Sequence, residues 1–227
     1  MRFSTVLFDL DHTLLDSEAS EALAFNFTLR SIGVAEPGEH LPIYKRLNMA
    51  LWKRVELGEL SPNEVKVLRF EQLLHELQMS GDPQALGDTY VKGLGDHGEL
   101  YAGSEPLLDV LYPLVTLGMV TNGIGSVQRR RIERLRLDRY FSTVAISGEV
   151  GVSKPDPAIF EHLDLDSWVP RETVLIGDSL TSDIAAGANA GISTCWFNPT
   201  GQPMTGPATP TIEVTSLDQI PDALAAL

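Results

Sequence analysis

The chain has 227 residues, 43% of them hydrophobic and 21% charged, with a formal net charge of −14 at pH 7. This length allows one large domain or a core with a smaller insert. The acidic balance argues against a nucleic-acid polymer as partner, because phosphate backbones are bound by clusters of Lys and Arg. No apolar run is long enough to cross a bilayer and the first residues lack a signal-peptide pattern, so we expect a cytoplasmic protein with no membrane partner.

The first predicted element is a short strand at residues 6–8, where an apolar run without polar alternation is typical of a buried parallel strand. Asp9 and Asp11 follow it directly. Because burying unpaired carboxylates is costly, we expect both at the carboxyl end of the strand, facing solvent or a metal ion. Open α/β sheets bind their ligands at that edge.

The next stretch of the chain has helical periodicity and no β pattern. The predicted helices cover residues 19–31 and 43–57, a segment from Ser61 through Leu77, and a segment through Leu86 and Leu94. Ser61 and Pro62 are typical of a helix start, since a capping residue precedes proline at the first helical position. The sequence therefore predicts an all-helical cap domain at 16–95, inserted between the two parts of a core domain, 1–15 and 96–227.

After residue 95, predicted strands and helices alternate. The strands cover residues 115–120, 143–147, 173–176, 193–197 and 211–214. The helices cover residues 105–111 and 126–137, a segment opened by Pro157, a segment from Asp183 to Ala190, and residues 216–227. This alternation predicts a doubly wound parallel sheet. Its carboxyl ends share one side, so we expect one crevice to hold Asp9, Asp11, Thr121, Lys154 and Asp178.

Three consecutive arginines at residues 129–131 lie on the predicted helix 126–137. Such a run could contact nucleic acid, but a solvated helix face fits the acidic net charge better. We therefore expect these side chains to face solvent.

Four short motifs resemble those of the haloacid dehalogenase (HAD) superfamily, in the same order and spacing and over nearly the whole chain. They are Asp9 with Asp11, Thr121 with Asn122 and Gly123, Lys154 with Pro155, and Gly177 and Asp178 with Asp183. The resemblance implies a Rossmann-like α/β core, in which the helical insert corresponds to the C1 cap of that family. His12 departs from the glycine that is most common at its position, a change that leaves catalysis feasible if the side chain points away from the metal.

The resemblance also assigns catalytic roles. Asp9 would be a nucleophile that becomes an aspartyl-phosphate. Asp11 would protonate the leaving group and then take a proton from water, a role that suits a pKa raised by neighbouring carboxylates. Thr121 and the backbone N–H of Asn122 would hold the phosphoryl oxygens, and Lys154 would neutralise charge on the nucleophile and the phosphoryl group.

The implied cofactor is Mg²⁺, which prefers hard oxygen ligands and would offset repulsion between the nucleophile and a phosphate dianion. The resemblance assigns as ligands the side chains of Asp9 and Asp178 and the backbone carbonyl of Asp11. Asp183 would support this shell from the next helix. An acidic residue in the first turn of a helix is nearly as good an interpretation of Asp183, and the two interpretations are compatible.

Further residues resemble the branch of pyrimidine 5′-nucleotidases that act on non-standard nucleotides. The similarity includes His12, Asn48, Trp52, residues 58–61, residues 150–155 and residues 194–198. Asn48 and Trp52 lie four residues apart and therefore on one helix face. Trp52 could stack on a base while Asn48 hydrogen-bonds its edge, but a core tryptophan explains the pattern equally well.

The predicted function is that of a Mg²⁺-dependent phosphatase of a small phosphorylated metabolite, with a nucleoside 5′-monophosphate as the leading substrate. A phosphatase of phosphoglycolate or a sugar phosphate is the nearest alternative, and a mutase shares the first chemical step. A haloacid dehalogenase needs neither Asp11 nor a metal, and a phosphonatase needs a cap lysine in a recognisable context. A catalytically silent regulatory module on the same fold is a further alternative. We expect a monomer or a homodimer.

Overall fold

The computed structural model describes residues 2–165 and 168–227, and its centre is a parallel sheet of six strands. The strands are β1 (Thr5–Phe8), β2 (Thr116–Thr121), β3 (Thr143–Ile146), β4 (Thr173–Gly177), β5 (Ser193–Phe197) and β6 (Ile212–Val214). Their order across the sheet is β3-β2-β1-β4-β5-β6, and each neighbouring pair is parallel. The predicted α/β fold class is confirmed, with strand boundaries that differ from the predicted ones by at most one residue.

The central strand β1 is buried on both faces. Val6, Leu7 and Phe8 are fully inaccessible, and the strand pairs with β2 on one side and β4 on the other. The chain order reverses between these neighbours, so the carboxyl ends of β1 and β4 form the switch point where doubly wound sheets bind ligands. Asp9 and Asp178 follow these two strands directly.

Four α-helices, one 3₁₀ turn (Pro37–His40) and no strand occupy residues 17–96, all of which the structure describes. The helices are α1 (Ser17–Arg30), α2 (Leu41–Glu56), α3 (Pro62–Glu76) and α4 (Pro83–Asp96). Helix α3 begins with the expected signal, a reciprocal capping box in which Ser61 accepts from the Glu64 N–H and Glu64 accepts from the Ser61 N–H.

An aromatic cluster forms the interior of this helical layer. The rings of Phe25, Tyr44, Phe70 and Tyr90 are fully buried and lie 4.7–6.0 Å apart between neighbouring centroids. The same apolar cluster includes Ile124 and Val127, which belong to the α/β part of the chain. The packing therefore continues across the predicted boundary. The division into a 16–95 cap and a 1–15 plus 96–227 core remains a proposal.

The remaining helices are α5 (Ser104–Leu111), α6 (Gly125–Arg134), α7 (Ser147–Val150), α8 (Ala185–Ala190) and α9 (Ile220–Ala225). Two segments differ from the predicted α-helices. The segment opened by proline is a run of 3₁₀ turns, Pro157–His162, and α8 is preceded by a wide π-helical turn, Leu180–Ile184. No helix within residues 2–165 and 168–227 combines the length and hydrophobicity that a membrane span requires.

Candidate active site

The centre of the site is a buried ion-paired lysine. Lys154 is only 1% exposed, and its Nζ donates to Asp9 Oδ1 at 2.6 Å, to Asp183 Oδ1 at 2.7 Å and to the carbonyl of Val120 at 2.6 Å. An ammonium group removed from water requires such compensation. Burial by itself lowers the pKa of Lys154, but Asp183 and Asp9 outweigh this effect and raise it, so the side chain stays a cation.

Three carboxylates crowd around this cation. Oxygen atoms of Asp9, Asp178 and Asp183 all lie within 4.8 Å of one another. Burial raises the pKa of Asp178 to about 8, with Asp183 adding to the effect. Burial also raises the pKa of Asp9 well above its ordinary value, against the opposing charge of Lys154. The single charge of Lys154 cannot balance three carboxylates. A divalent cation that prefers hard oxygen ligands fits this set of donors.

Asp183 holds the loop that follows β4. Its Oδ1 accepts from Lys154, and its Oδ2 accepts from the backbone N–H of Ser179 at 3.0 Å. This approach depends on Gly177, because a Cβ at that position would lie 2.3 Å from Asp183 Oδ2. The loop is fixed on its other side by Trp196, whose Nε1 donates to the carbonyl of Asp178 at 2.7 Å. Asp183 thus orients both the lysine and the Asp178 loop.

The side chain of Asp11 lies outside the group of three carboxylates. Its Oδ1 accepts from Arg131 Nη1 at 2.6 Å and from the Ser17 hydroxyl, and its Oδ2 accepts from Gln128 Nε2 at 2.7 Å. Burial raises the pKa of Asp11, but Arg131 and the hydrogen bond from Ser17 outweigh it and lower the pKa below its usual value. The expectation of a raised pKa is wrong, because the nearest charge is an arginine and not a carboxylate.

The expectation of three solvated arginines on α6 is wrong for one of them. Arg129 and Arg130 are exposed and pair with Glu149 and Asp96. Arg131 is only 3% exposed. Successive residues on a helix point about 100° apart, so a run of identical residues cannot share one environment.

Arg131 joins the loop after β1 to the layer of helices α1–α4. Besides Asp11, it contacts Ser20 Oγ through Nη2 at 2.9 Å and the carbonyl of Leu94 through Nε at 3.0 Å. The sequence signal that could have found it is the three-residue spacing from Gln128, which places both side chains on one helix face.

Thr121 and Asn122 lie at the carboxyl end of β2, at the same edge of the sheet as Asp9 and Asp178. Thr121 ends β2, is fully buried, and accepts from Gln128 Nε2 at 2.7 Å through its hydroxyl. Asn122 accepts from the backbone N–H of Lys154 at 2.9 Å and donates to the carbonyl of Lys154 at 2.8 Å. The last two bonds join Asn122, directly after β2, and the predicted lysine into one hydrogen-bonded unit.

A cavity of about 470 Å³ lies between this unit and the helical layer. Asn48 and Trp52 of α2 both line it. Asn48 is 6% exposed and donates to Glu21 Oε1 at 2.9 Å. Trp52 is half-buried and also packs against the small apolar cluster of Leu51, Val55 and Val65. The structure thus places Trp52 at the boundary between cavity and core. This position is compatible with a base-stacking residue and with a core tryptophan.

His12 lines the same cavity and has an exposed side chain. Its φ of 62° is in the left-handed region. A glycine adopts this conformation at little cost, whereas other residues pay about 1 kcal/mol or more. This backbone geometry is a physical reason for the glycine that is common at this position in the superfamily.

The fold and the site agree with the comparisons to known proteins. The family model of haloacid dehalogenase-like hydrolases matches residues 6–197. The chain therefore belongs to the haloacid dehalogenase-like hydrolase family, and the resemblance seen in its motifs is confirmed.

Three relatives are similar along their whole length. The chain is 37% identical to the pyrimidine 5′-nucleotidase PynA of Streptococcus pneumoniae, over 99% of this chain and 96% of that one. It is 29% identical to the pyrimidine 5′-nucleotidase YjjG of Escherichia coli, over 99% of each. The crystal structure of the HAD-hydrolase YfnB of Bacillus subtilis bound to magnesium matches with a TM-score of 0.91 and 32% identity, over 99% of each chain.

Proposed function

We propose that this hydrolase is a Mg²⁺-dependent phosphatase of nucleoside 5′-monophosphates, with a pyrimidine nucleoside as the leaving group. The observation that carries the proposal is the Asp9–Lys154–Asp183 arrangement at the base of a cavity covered by helices α1–α4. The two relatives named as pyrimidine 5′-nucleotidases support the substrate class.

The proposed reaction has two steps at phosphorus. A carboxylate oxygen of Asp9 attacks the phosphorus, the ester P–O bond breaks, and Asp11 donates a proton to the leaving oxygen. For this step Asp11 must carry a proton despite the charge of Arg131, which lowers its pKa. A water molecule then attacks the aspartyl-phosphate and gives its proton to Asp11, which releases inorganic phosphate and regenerates Asp9. Both carboxylates lie at the end of β1 and line the cavity.

Thr121, the Asn122 backbone N–H and Lys154 would hold the phosphoryl oxygens, because they are polar groups at adjacent strand ends and carry the local positive charge. The Asp9 and Asp178 side chains and the Asp11 carbonyl would hold Mg²⁺, with Asp183 orienting the loop around them. When bound, this cation supplies positive charge against the repulsion between carboxylate and phosphate dianion.

The leaving group would occupy the part of the cavity under α2. There Trp52 can cover the face of a base and Asn48 can meet a polar edge, which are contacts that a two-carbon acid phosphate does not use. Closure by the helical layer would also exclude bulk water from the phosphoaspartate.

The proposal is tested with a panel of phosphomonoesters, assayed for phosphate release with Mg²⁺ and with EDTA. We expect the highest kcat/KM for uridine and cytidine 5′-monophosphates, loss of activity in EDTA, and recovery when Mg²⁺ is restored. Asp9→Asn, checked for folding by circular dichroism, serves as the inactive control. A higher kcat/KM for phosphoglycolate or ribose 5-phosphate would contradict the substrate class, and no turnover of any ester would indicate a silent module.

A further inference from the structure

Two buried polar atoms have no hydrogen-bond partner among the described residues, and the side chains that carry them line the active-site cavity on the side of the helical layer. They are Nη2 of Arg69, on α3, and Oδ1 of Asn48, on α2. We infer that Arg69 and Asn48 recognise the amide-like edge of the leaving-group base, with Asn48 Oδ1 accepting from a ring or exocyclic N–H and Arg69 Nη2 donating to the adjacent acceptor. The inference rests on the proposed function and specifies how its substrate is selected.

Arg69 is held in place through its Nε and Nη1 atoms. The side chain is 1% exposed, its Nε donates to the carbonyl of Val65 at 3.1 Å, and its Nη1 donates to the Tyr44 hydroxyl at 3.0 Å. The guanidinium lies 5.0 Å from the ring centre of Tyr90. Nη2 has no hydrogen-bond partner in the part of the chain that the structure describes. A buried donor on a cation is costly to leave unpaired, so an acceptor entering this cavity gains a strong contact.

The free oxygen of Asn48 is fixed by its neighbour. Nδ2 donates to Glu21 Oε1 at 2.9 Å, and a carboxylate can only accept, which sets the orientation of the amide. Oδ1 is therefore turned away from Glu21, and it too has no partner among the described residues. The cavity thus offers one fixed acceptor and one fixed charged donor, which together match a neighbouring N–H and carbonyl on a ligand.

Helix α2 places this pair at the correct distance from the phosphate end. Asn48, Trp52 and Glu56 are four residues apart and share a face. Glu56 lies beside Thr181, in the same turn as Asp183, while Asn48 is eight residues away, about 12 Å along the helix axis. Trp52 is midway between them. A ribose and a single six-membered ring can span this path, with the ring face against Trp52 and its edge at Asn48.

The polarity of the pair suits pyrimidines. Uracil offers N3–H beside a carbonyl, and cytosine offers its amino group beside the N3 acceptor, so either edge meets an acceptor and a donor in the required order. A ligand whose ring N–H is replaced by N–CH₃ loses the donor and leaves Asn48 Oδ1 buried and unpaired. Sites built around buried polar groups reject such analogues strongly.

The test compares uridine 5′-monophosphate with its N3-methyl derivative on three proteins: wild type, Asn48→Ala, and Arg46→Ala as the matched control. Arg46 is on the same helix, but its exposed side chain pairs with Glu76 on the surface. We expect wild type and Arg46→Ala to prefer the unmethylated substrate at least tenfold in kcat/KM. Asn48→Ala should prefer it by less than threefold, because the acceptor is gone.

Arg69→Lys provides a second measurement, since lysine keeps the charge but loses the planar fork that reaches both Tyr44 and the cavity. We expect kcat/KM for uridine 5′-monophosphate to fall at least tenfold relative to that for ribose 5-phosphate, which has no base. A thermal melt establishes that the variant is folded; if it is not, the methylated substrate still decides the question.

The outcomes separate the two proposals. Equal turnover of methylated and unmethylated substrate by wild type, or an unchanged preference in Asn48→Ala, would overturn the recognition site and leave the nucleotidase activity standing. Hydrolysis of ribose 5-phosphate without hydrolysis of any nucleotide would overturn the proposed function, and the recognition site with it.

Discussion

Arg131 Nη1 donates to Asp11 Oδ1 across 2.6 Å and thereby joins helix α6 to the loop of the proposed nucleophile. The same guanidinium contacts Ser20 on α1 and the Leu94 carbonyl on α4. One side chain therefore fixes the direction of the proposed acid–base group and the placement of two helices of the covering layer.

We predict that Arg131→Ala impairs stability and activity together. Breaking a fully buried ion pair costs roughly 3–5 kcal/mol, and because Asp11 is 26% exposed we expect a smaller loss, about 2–3 kcal/mol in the free energy of unfolding. Urea unfolding provides the measurement. Arg130→Ala is the matched control, since that exposed arginine pairs with Asp96 on the surface and should cost less than about 1 kcal/mol. Equal losses of unfolding free energy in the two variants would show that the buried contacts of Arg131 contribute no more than a surface ion pair.

Magnesium should stabilise the folded protein. A ligand that binds only the native state adds about 2.7 kcal/mol at a concentration one hundred times its Kd. We therefore expect a higher melting temperature with Mg²⁺ than with EDTA, and no such shift in Asp178→Asn. Without metal, Asp178→Asn should melt above wild type, because the substitution removes one of three crowded carboxylates. A full Mg²⁺ shift in this variant would exclude Asp178 as a ligand.

Substitutions of Asp9 and Asp11 should impair different steps of the proposed reaction. Asp9→Asn is expected to abolish the acid-stable phosphoenzyme that quenching with radiolabelled substrate would trap. Asp11→Asn should slow a nucleotide, whose leaving group is an alkoxide, about a hundredfold more than p-nitrophenyl phosphate, because general acid catalysis matters most for poor leaving groups. Comparable losses on both substrates would argue against the acid role.

The sequence could predict the position of those site residues that lie at the ends of strands. Asp9, Thr121 and Asp178 directly follow or end strands of a parallel sheet, so recognising the strands was enough to place them on one edge. Lys154 followed from its position in the third motif. Its contacts with Asp9 and Asp183 bring it to the same edge, and its catalytic role stays a prediction.

Other residues depended on helix packing, which a single sequence does not encode in a readable way. Three adjacent arginines do not show which of their side chains points into the protein, so the sequence did not predict the burial of Arg131. Arg69 precedes the buried Phe70 on α3, and its burial depends on the hydroxyl of Tyr44 from a neighbouring helix. The recognition pair of Asn48 and Arg69 is visible only once α2 and α3 are placed side by side.

Cys195 gives a prediction about pH. The thiol is buried in β5, and burial raises its pKa to about 12 from an ordinary value of 9.0. Between these values the unfolded chain loses this proton while the native protein keeps it, so rising pH reduces stability by about 1.4 kcal/mol per pH unit. The contribution is fully present below pH 9. Urea unfolding from pH 8 to 11 should show a shallower decline for Cys195→Ala than for wild type, and parallel curves would contradict the assignment.

Trp52 decides whether the helical layer selects the leaving group. Base stacking on an aromatic side chain is worth about 1–3 kcal/mol by alanine substitution, and about 1.4 kcal/mol corresponds to a factor of ten in rate. We expect Trp52→Ala to lower the ratio of kcat/KM for uridine 5′-monophosphate to that for p-nitrophenyl phosphate about tenfold. Val55→Ala is the control, because Val55 is in the apolar cluster against which Trp52 packs, so this variant removes packing alone. It should lower the melting temperature and leave the ratio unchanged. If Trp52→Ala behaves in the same way as Val55→Ala, then Trp52 is a core residue and the base is recognised by its edge alone.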